Sequence, residues 1–170
     1  MMIRAAHAAV LLIHAVLTVF VPAVIARSFA FLERPEPHPI FWLMGGMSLV
    51  VGAVLYVQSH LHLVGPGNGT PAIWEPPRFL VGGGPYRWLR NPMYAALIFI
   101  TAGTAALTRQ PALLVYSGLL FAGFHVFVVG LEEPSLVRRF GASYEAYRSS
   151  VPRWKPRKRP RSRQFRGGAA

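Results

Sequence analysis

Four stretches of this chain are almost wholly apolar, and their lengths suit a bilayer. Crossing about 30 Å of hydrocarbon at a rise of about 1.5 Å per residue takes roughly 20 apolar residues. The first stretch, 8–26, is interrupted only by His14, Thr18 and Pro22 and stops at Arg27. The second, 40–57, is entered through Pro37, His38 and Pro39 and carries Ser48 and Gly52 at the small-xxx-small spacing that lets helices approach closely. The third, 92–108, is short for a full span. Gln110 and Pro111 connect it tightly to the fourth, 112–131, which predicts an antiparallel helical hairpin. Beyond it, Leu136, Val137, Phe140, Tyr144, Tyr147 and Val151 recur every three or four residues, with Arg138, Arg139, Glu145 and Arg148 mostly between them. That pattern predicts an amphipathic helix in the membrane interface, bent near Gly141. The expected fold is therefore an all-α, polytopic membrane helical bundle of about four transmembrane helices, with a C-terminal hairpin and an interfacial helix. It forms a single domain over 1–154, followed by a basic disordered tail over 155–170. The alternative for the first stretch is a cleaved signal, since Val24-Ile25-Ala26 resembles a cleavage site, although the apolar run is long for one.

Composition agrees with a membrane location. Apolar residues make up 53% and charged ones 14%, where a soluble domain carries about a quarter charged; the mean hydropathy is +0.37. The formal charge of +12 looks discordant until it is located: 8 of the 18 Lys and Arg fall between Arg153 and Arg166. The basicity is mostly a tail suited to anionic lipid, and no nucleic acid partner is expected. Positive loops stay in the cytoplasm. One side of a four-span layout holds Arg4, Arg78, Arg87, Arg90 and the C-terminal cluster, against Arg27, Arg34 and Arg109 on the other. Both termini are therefore expected in the cytoplasm. Cysteine is absent, which excludes disulfides, thiolate metal sites and a cysteine nucleophile.

Two places are not explained by span packing. Residues 65–94 form a long connection rich in Gly, Pro and aromatics, of a length that usually signals function or disorder. Its triple glycine, Gly82 to Gly84, fails as a dinucleotide fingerprint because no βαβ unit surrounds it. Asn91-Pro92 has the form of a helix start, with Asn as N-cap and Pro at the first helical position, so free N–H groups would sit at the membrane surface. Tyr94 faces the same side; cap and interface anchor are as fair a reading of these two residues as ligand contact. The second place is Glu132-Glu133, expected at the C-terminal end of the fourth helix, where carboxylates oppose the macrodipole and call for a compensating cation. Arg138 and Arg139, Arg87 or Arg90, or a cationic ligand are the candidates. In the predicted hairpin, Asn91-Pro92 and Glu132 lie at one membrane level and together suit a zwitterion. His125, two turns before Glu132, either joins that site or is satisfied within the bundle.

GPYRWLRNPMY, then a hairpin, then the Glu pair, then FGASYEAYRSSVPRW resembles the isoprenylcysteine carboxyl methyltransferase and phospholipid methyltransferase group of integral membrane enzymes. Those carry a G-x-Y-x-x-x-R-H-P-x-Y element, a Glu-Glu pair one hairpin later and an F-G-x-x-Y-x-x-Y-x-x-x-V-P-R ending. The resemblance covers about residues 78–154. It implies methyl transfer from S-adenosylmethionine to a lipophilic acceptor entering from the bilayer: an isoprenylcysteine-like carboxylate, a lipid headgroup or a small thiol. It further implies cofactor contacts at Arg78, Phe79, Leu80, Val81, Tyr86, Asn91, Pro92, Tyr94 and Glu132, without a metal. Arg90 and Glu132 are the residues expected to carry catalysis, and His125 and Arg138 are candidates for acceptor contact. Two positions depart from the pattern. Asn91 replaces the histidine of R-H-P and cannot titrate, and Val128 stands where the eukaryotic prenyl-cysteine enzymes have an arginine that grips the substrate carboxylate. Arg87, Arg90, Arg138 and Arg139 are the candidates to replace that cation. Two rival readings are a membrane cytochrome holding haem through His14, His60, His62 or His125, and an adaptor that keeps the scaffold without catalysis.

Overall fold

The computed structural model describes residues 2–67 and 77–157. Residues 68–76 of the Gly- and Pro-rich connection, and the tail beyond 157, lie outside the described residues. Among the described residues there are five helices, α1 (2–28), α2 (Pro39–Val64), α3 (Pro92–Thr108), α4 (Pro111–Phe140) and α5 (Ala142–Ser150), with a 3₁₀ turn at Gly84–Arg87. No strand occurs among the described residues. In α1, α2 and α4, apolar segments of 24, 26 and 30 residues are long enough to cross a membrane. The fourth, α3, has 17 residues and reaches about 25 Å. The chain is an integral membrane helical bundle.

Close packing centres on α2 and α3. A methyl group added at Gly103 would stand 2.9 Å from the Gly45 carbonyl oxygen, and one at Gly45 would stand 3.0 Å from that of Gly103, so the two backbones touch. Gly52 meets Ala96 in the same way, and the Ser48 hydroxyl donates across the pair to the Phe99 carbonyl at 2.7 Å. The expected small-residue contact is present, with Gly45 extending it. The α3–α4 hairpin is as tight as its sequence suggested. Arg109 closes α3 in the left-handed region at φ 53°, and Gln110, almost fully buried, donates from Nε2 to the Phe29 carbonyl at 2.7 Å.

Both α1 and α4 contain a π turn, at Val16–Phe20 and Val128–Glu132. In each the turn ends two residues before a proline, Pro22 or Pro134. Proline has no N–H to give the carbonyl four residues back, and a wide turn just ahead of it absorbs that mismatch. The phenol of Tyr116 on α4 donates to the Leu17 carbonyl inside the first π turn at 2.8 Å, and His14 shares a 2.8 Å hydrogen bond with Tyr56 on α2.

Continuation through the second π turn corrects one expectation. The fourth helix does not stop at residue 131; it runs to Phe140 and breaks at Gly141, φ 48°. Glu132 and Glu133 therefore lie inside a helix, so opposition to the macrodipole is not what they must offset. The predicted break at Gly141 is present, but the apolar stripe around it is not laid on lipid. Phe140, Tyr144, Tyr147 and Val151 are buried together with Leu80 from the connection, and Leu136 and Val137 pack against them. The amphipathic face is satisfied by a small core at the end of the bundle. His7 on α1 lies beside His60 near the end of α2, ring centroids 5.8 Å apart, so α1 begins at the end of the bundle where α2 and α4 finish.

Candidate functional site

A cleft, open on one side, lies at this end between the connection, the first turn of α3, the π turn of α4 and the small core. Each wall follows from a local rule. Gly84, at φ 53°, turns the chain where a side chain would collide with the His62 imidazole, and the 3₁₀ turn after it delivers Tyr86, which is buried. The Tyr86 carbonyl accepts from the Tyr147 hydroxyl at 2.7 Å, tying the connection to α5. Burial, reinforced by Tyr147 and then Glu132, holds the Tyr86 phenol well above the ordinary tyrosine range. Tyr144, buried and near Glu133, is pushed up to about 12. These phenols stay neutral near pH 7.

Asn91-Pro92 opens α3 as predicted, and the Asn91 carbonyl accepts the first helical bond, from Ala95, at 3.1 Å. Its side chain, however, does not cap the helix; Nδ2 donates to the Arg153 carbonyl at 3.4 Å. The cap expectation is corrected on this point, and the reason is that the chain after α5 offers an acceptor at the helix start. Met93 and Tyr94, which line the cleft, carry first-turn N–H groups that have no acceptor within the helix.

The two glutamates have separate surroundings. Glu133 is buried and binds two guanidiniums, with Arg90 Nη1 at 2.9 Å and Arg153 Nε and Nη2 at 2.7 and 2.9 Å. Glu132 lines the cleft and accepts one hydrogen bond, from the Tyr94 hydroxyl at 2.8 Å. Among the described residues no cation pairs with it. The Tyr94 ring in turn rests on Phe124, centroids 4.7 Å apart. Both carboxylates line the cleft; Glu133 is paired with arginines, and Glu132, oriented by a phenol, is the one with no cation beside it among the described residues.

Nine sequence-predicted residues line this cleft: Phe79, Leu80 and Val81; Tyr86 and Arg90; Asn91, Pro92 and Tyr94; and Glu132. Three do not. Arg78 enters the structure through its backbone, N–H to the Gly67 carbonyl at 2.9 Å. The Nδ1 of His125, which is exposed, accepts from the Trp154 indole at 3.0 Å and is not part of the cleft lining. Arg138 is exposed on the helix beyond it. Of the cations proposed to offset the Glu pair, Arg90 is in place. Arg153 was missed as a partner of Glu133 because, although it closes the V-P-R ending, it also heads a basic run that reads as tail. Val128 is fully buried and does not line the cleft. Tyr144, Tyr147 and Ser135 also line the cleft; the two tyrosines were legible as members of an apolar stripe and of the F-G-x-x-Y-x-x-Y motif, not as cleft residues. As for haem ligation, His14 and His125 are engaged with Tyr56 and Trp154. No group of three or more His, Asp or Glu side chains converges on a metal-sized site among the described residues.

Comparison with known proteins points the same way. The family described as phospholipid methyltransferase matches residues 40–143. A curated relative, protein-S-isoprenylcysteine O-methyltransferase of Xenopus laevis, is 36% identical over 75 residues, which is 43% of this chain. The match spans only 25% of the length of that protein.

Proposed function

Since the chain belongs to the phospholipid methyltransferase family, we propose that it transfers a methyl group from S-adenosylmethionine to a lipophilic acceptor delivered by the bilayer. The observation that carries this reading is Glu132: a carboxylate on the cleft wall, held by Tyr94 and with no protein cation among the described residues. Such a group suits a ligand bearing positive charge, and the apolar lining suits its nucleoside part. When bound, S-adenosylmethionine supplies an activated methyl group on a sulfonium sulfur, so no metal or covalent enzyme intermediate is required.

The work left to the protein is alignment and exclusion of water. Glu132 meets the cationic portion of the donor. Met93 and Tyr94 N–H groups, with Arg90, meet its carboxylate. The neutral phenol of Tyr147, bonded to the Tyr86 carbonyl, joins the connection to α5 and, with Leu80 and Phe140, keeps the roof of the cleft dry. Charges aligned in a dry cleft are worth more than in water. The name of the amphibian relative favours an isoprenylcysteine-like carboxylate as acceptor, and the family description a lipid headgroup. The reading also puts the cleft, with both termini, on the cytoplasmic face.

Protein in lipid nanodiscs, given methyl-labelled S-adenosylmethionine with a membrane lipid extract and a prenylated cysteine analogue in separate reactions, tests this. Label in the organic phase of either reaction is the expected result. No label in either, with donor demonstrably bound, contradicts methyl transfer to these acceptors.

A further inference from the structure

The chain that follows α5 makes an unusual number of specific contacts for a segment with no regular structure. Between Pro152 and Arg157 it binds both walls of the cleft. On the α3 side, the Arg90 N–H donates to the Pro152 carbonyl at 2.9 Å, Asn91 Nδ2 to the Arg153 carbonyl at 3.4 Å, and the Arg157 N–H to the Trp88 carbonyl at 3.0 Å. On the α4 side, the Arg153 guanidinium forks onto both oxygens of Glu133, and Trp154 donates to His125 while its ring meets Phe121 edge-on, centroids 5.1 Å apart. Arg153 alone reaches both walls, by its carbonyl to Asn91 and its side chain to Glu133. Asn91 opens the helix that carries Tyr94, and Glu133 adjoins Glu132, so the residue spans the gap that the Tyr94–Glu132 hydrogen bond also crosses.

We propose that Arg153 is a positioning residue: it fixes the separation of the α3 and α4 walls and so holds Glu132 and Tyr94 at the spacing a ligand of the cleft requires. The ligand in this statement rests on the donor reading given above; the wall spacing does not. A planar guanidinium is suited to the task because it engages both carboxylate oxygens in a fixed geometry, which a lysine ammonium does not. The side chain of Glu133 is 9% exposed and that of Arg153 27%, so the fork is sheltered on its carboxylate side.

The test uses two readouts in the full chain. Because the protein has no cysteine, Arg87→Cys and Val129→Cys place a unique pair of spin labels on the two walls, and S-adenosylhomocysteine affinity is measured by calorimetry in the unlabelled protein. Arg153→Gln is expected to broaden and lengthen the inter-label distance distribution and to weaken S-adenosylhomocysteine by roughly tenfold or more. Arg153→Lys, which keeps the charge and loses the fork, is expected to fall between wild type and Gln in both. An unchanged distance distribution in Arg153→Gln overturns the proposal, whatever the affinity does, and so does a changed distribution with wild-type affinity. If Arg153→Gln does not fold, wild-type distance and affinity in Arg153→Lys overturn it. If wild type binds no S-adenosylhomocysteine, the donor reading fails, and the distance comparison alone decides whether Arg153 sets the gap.

Discussion

Glu132 and Glu133 are neighbours in sequence with different partners. Two guanidiniums hold Glu133 in place, whereas Glu132 has only the Tyr94 phenol. Removing Glu133 leaves the Arg90 guanidinium, 10% exposed, without its counter-charge. Glu133→Ala is therefore expected to destabilise the fold by about 3 kcal/mol, read as a lowered unfolding midpoint in detergent. Glu133→Gln should recover part of the loss by keeping a hydrogen-bond acceptor. Tyr94→Phe deletes a hydrogen bond to a charged group, worth about 1.5–3 kcal/mol. It should lower the unfolding midpoint accordingly and weaken S-adenosylhomocysteine by about tenfold or more; a loss of stability with intact affinity would assign Tyr94 to packing. Most of these residues were legible because Asn91-Pro92, Tyr94 and the Glu pair have distinctive chemistry at fixed separations. Arg153 closes the V-P-R ending that the sequence shares with the family pattern, but its spacing from Glu133 gives no sign that its side chain folds back onto that glutamate twenty residues earlier.

At the level of elements, the spans were legible from apolar length, and the α3–α4 hairpin from Gln110-Pro111. The end of α4 was not. The Glu pair and Pro134 read as a terminus, and a π turn that lets a helix continue past proline has no marker in the hydropathy pattern. The α2–α3 contact gives a direct check: a methyl at Gly103 would sit 2.9 Å from the Gly45 carbonyl oxygen. Gly103→Ala is expected to cost about 1–3 kcal/mol through forced separation of the helices, whereas Gly118→Ala, where a methyl meets nothing within 4 Å, should be neutral or mildly stabilising. Circular dichroism melts of the two variants compare them. The core on α5 gives a second check. Tyr144 is raised from 10.0 to about 12, so its neutral form is favoured by folding. That contribution is intact below pH 10 and is lost as pH rises from 10 toward 12. Near-ultraviolet tyrosinate absorbance should show a late-titrating class, with stability falling across the same interval; complete titration near pH 10 without unfolding would contradict the burial.

For the whole molecule, charge and shape agree on a polarity. The cleft end holds Arg78, Arg87, Arg90, Arg138, Arg139, Arg153 and the start of the basic arm, and the opposite end holds Arg27, Arg34 and Arg109. Arg109 at that far end donates to the Pro35 carbonyl at 2.8 Å, and so spends hydrogen-bonding capacity within the protein. The orientation proposed above, with the cleft toward the cytoplasm, rests on the positive-inside rule. Single cysteines at Lys155 and Phe31, introduced into the cysteine-free chain, should respectively resist and accept an impermeant maleimide applied to intact cells; the reverse pattern would invert the topology. Charge counting assigned Arg153 to the arm, and the fold ties it to Glu133 beside the cleft. The central claim remains that Glu132 receives the cationic part of a methyl donor. Calorimetric titration of S-adenosylhomocysteine and S-adenosylmethionine into nanodisc-embedded wild type and Glu132→Gln tests it most directly. The account predicts saturable binding of both to wild type and a loss of about tenfold or more in Glu132→Gln, larger for the doubly cationic S-adenosylmethionine. Equal affinities in the two proteins, or no binding to wild type, would contradict it.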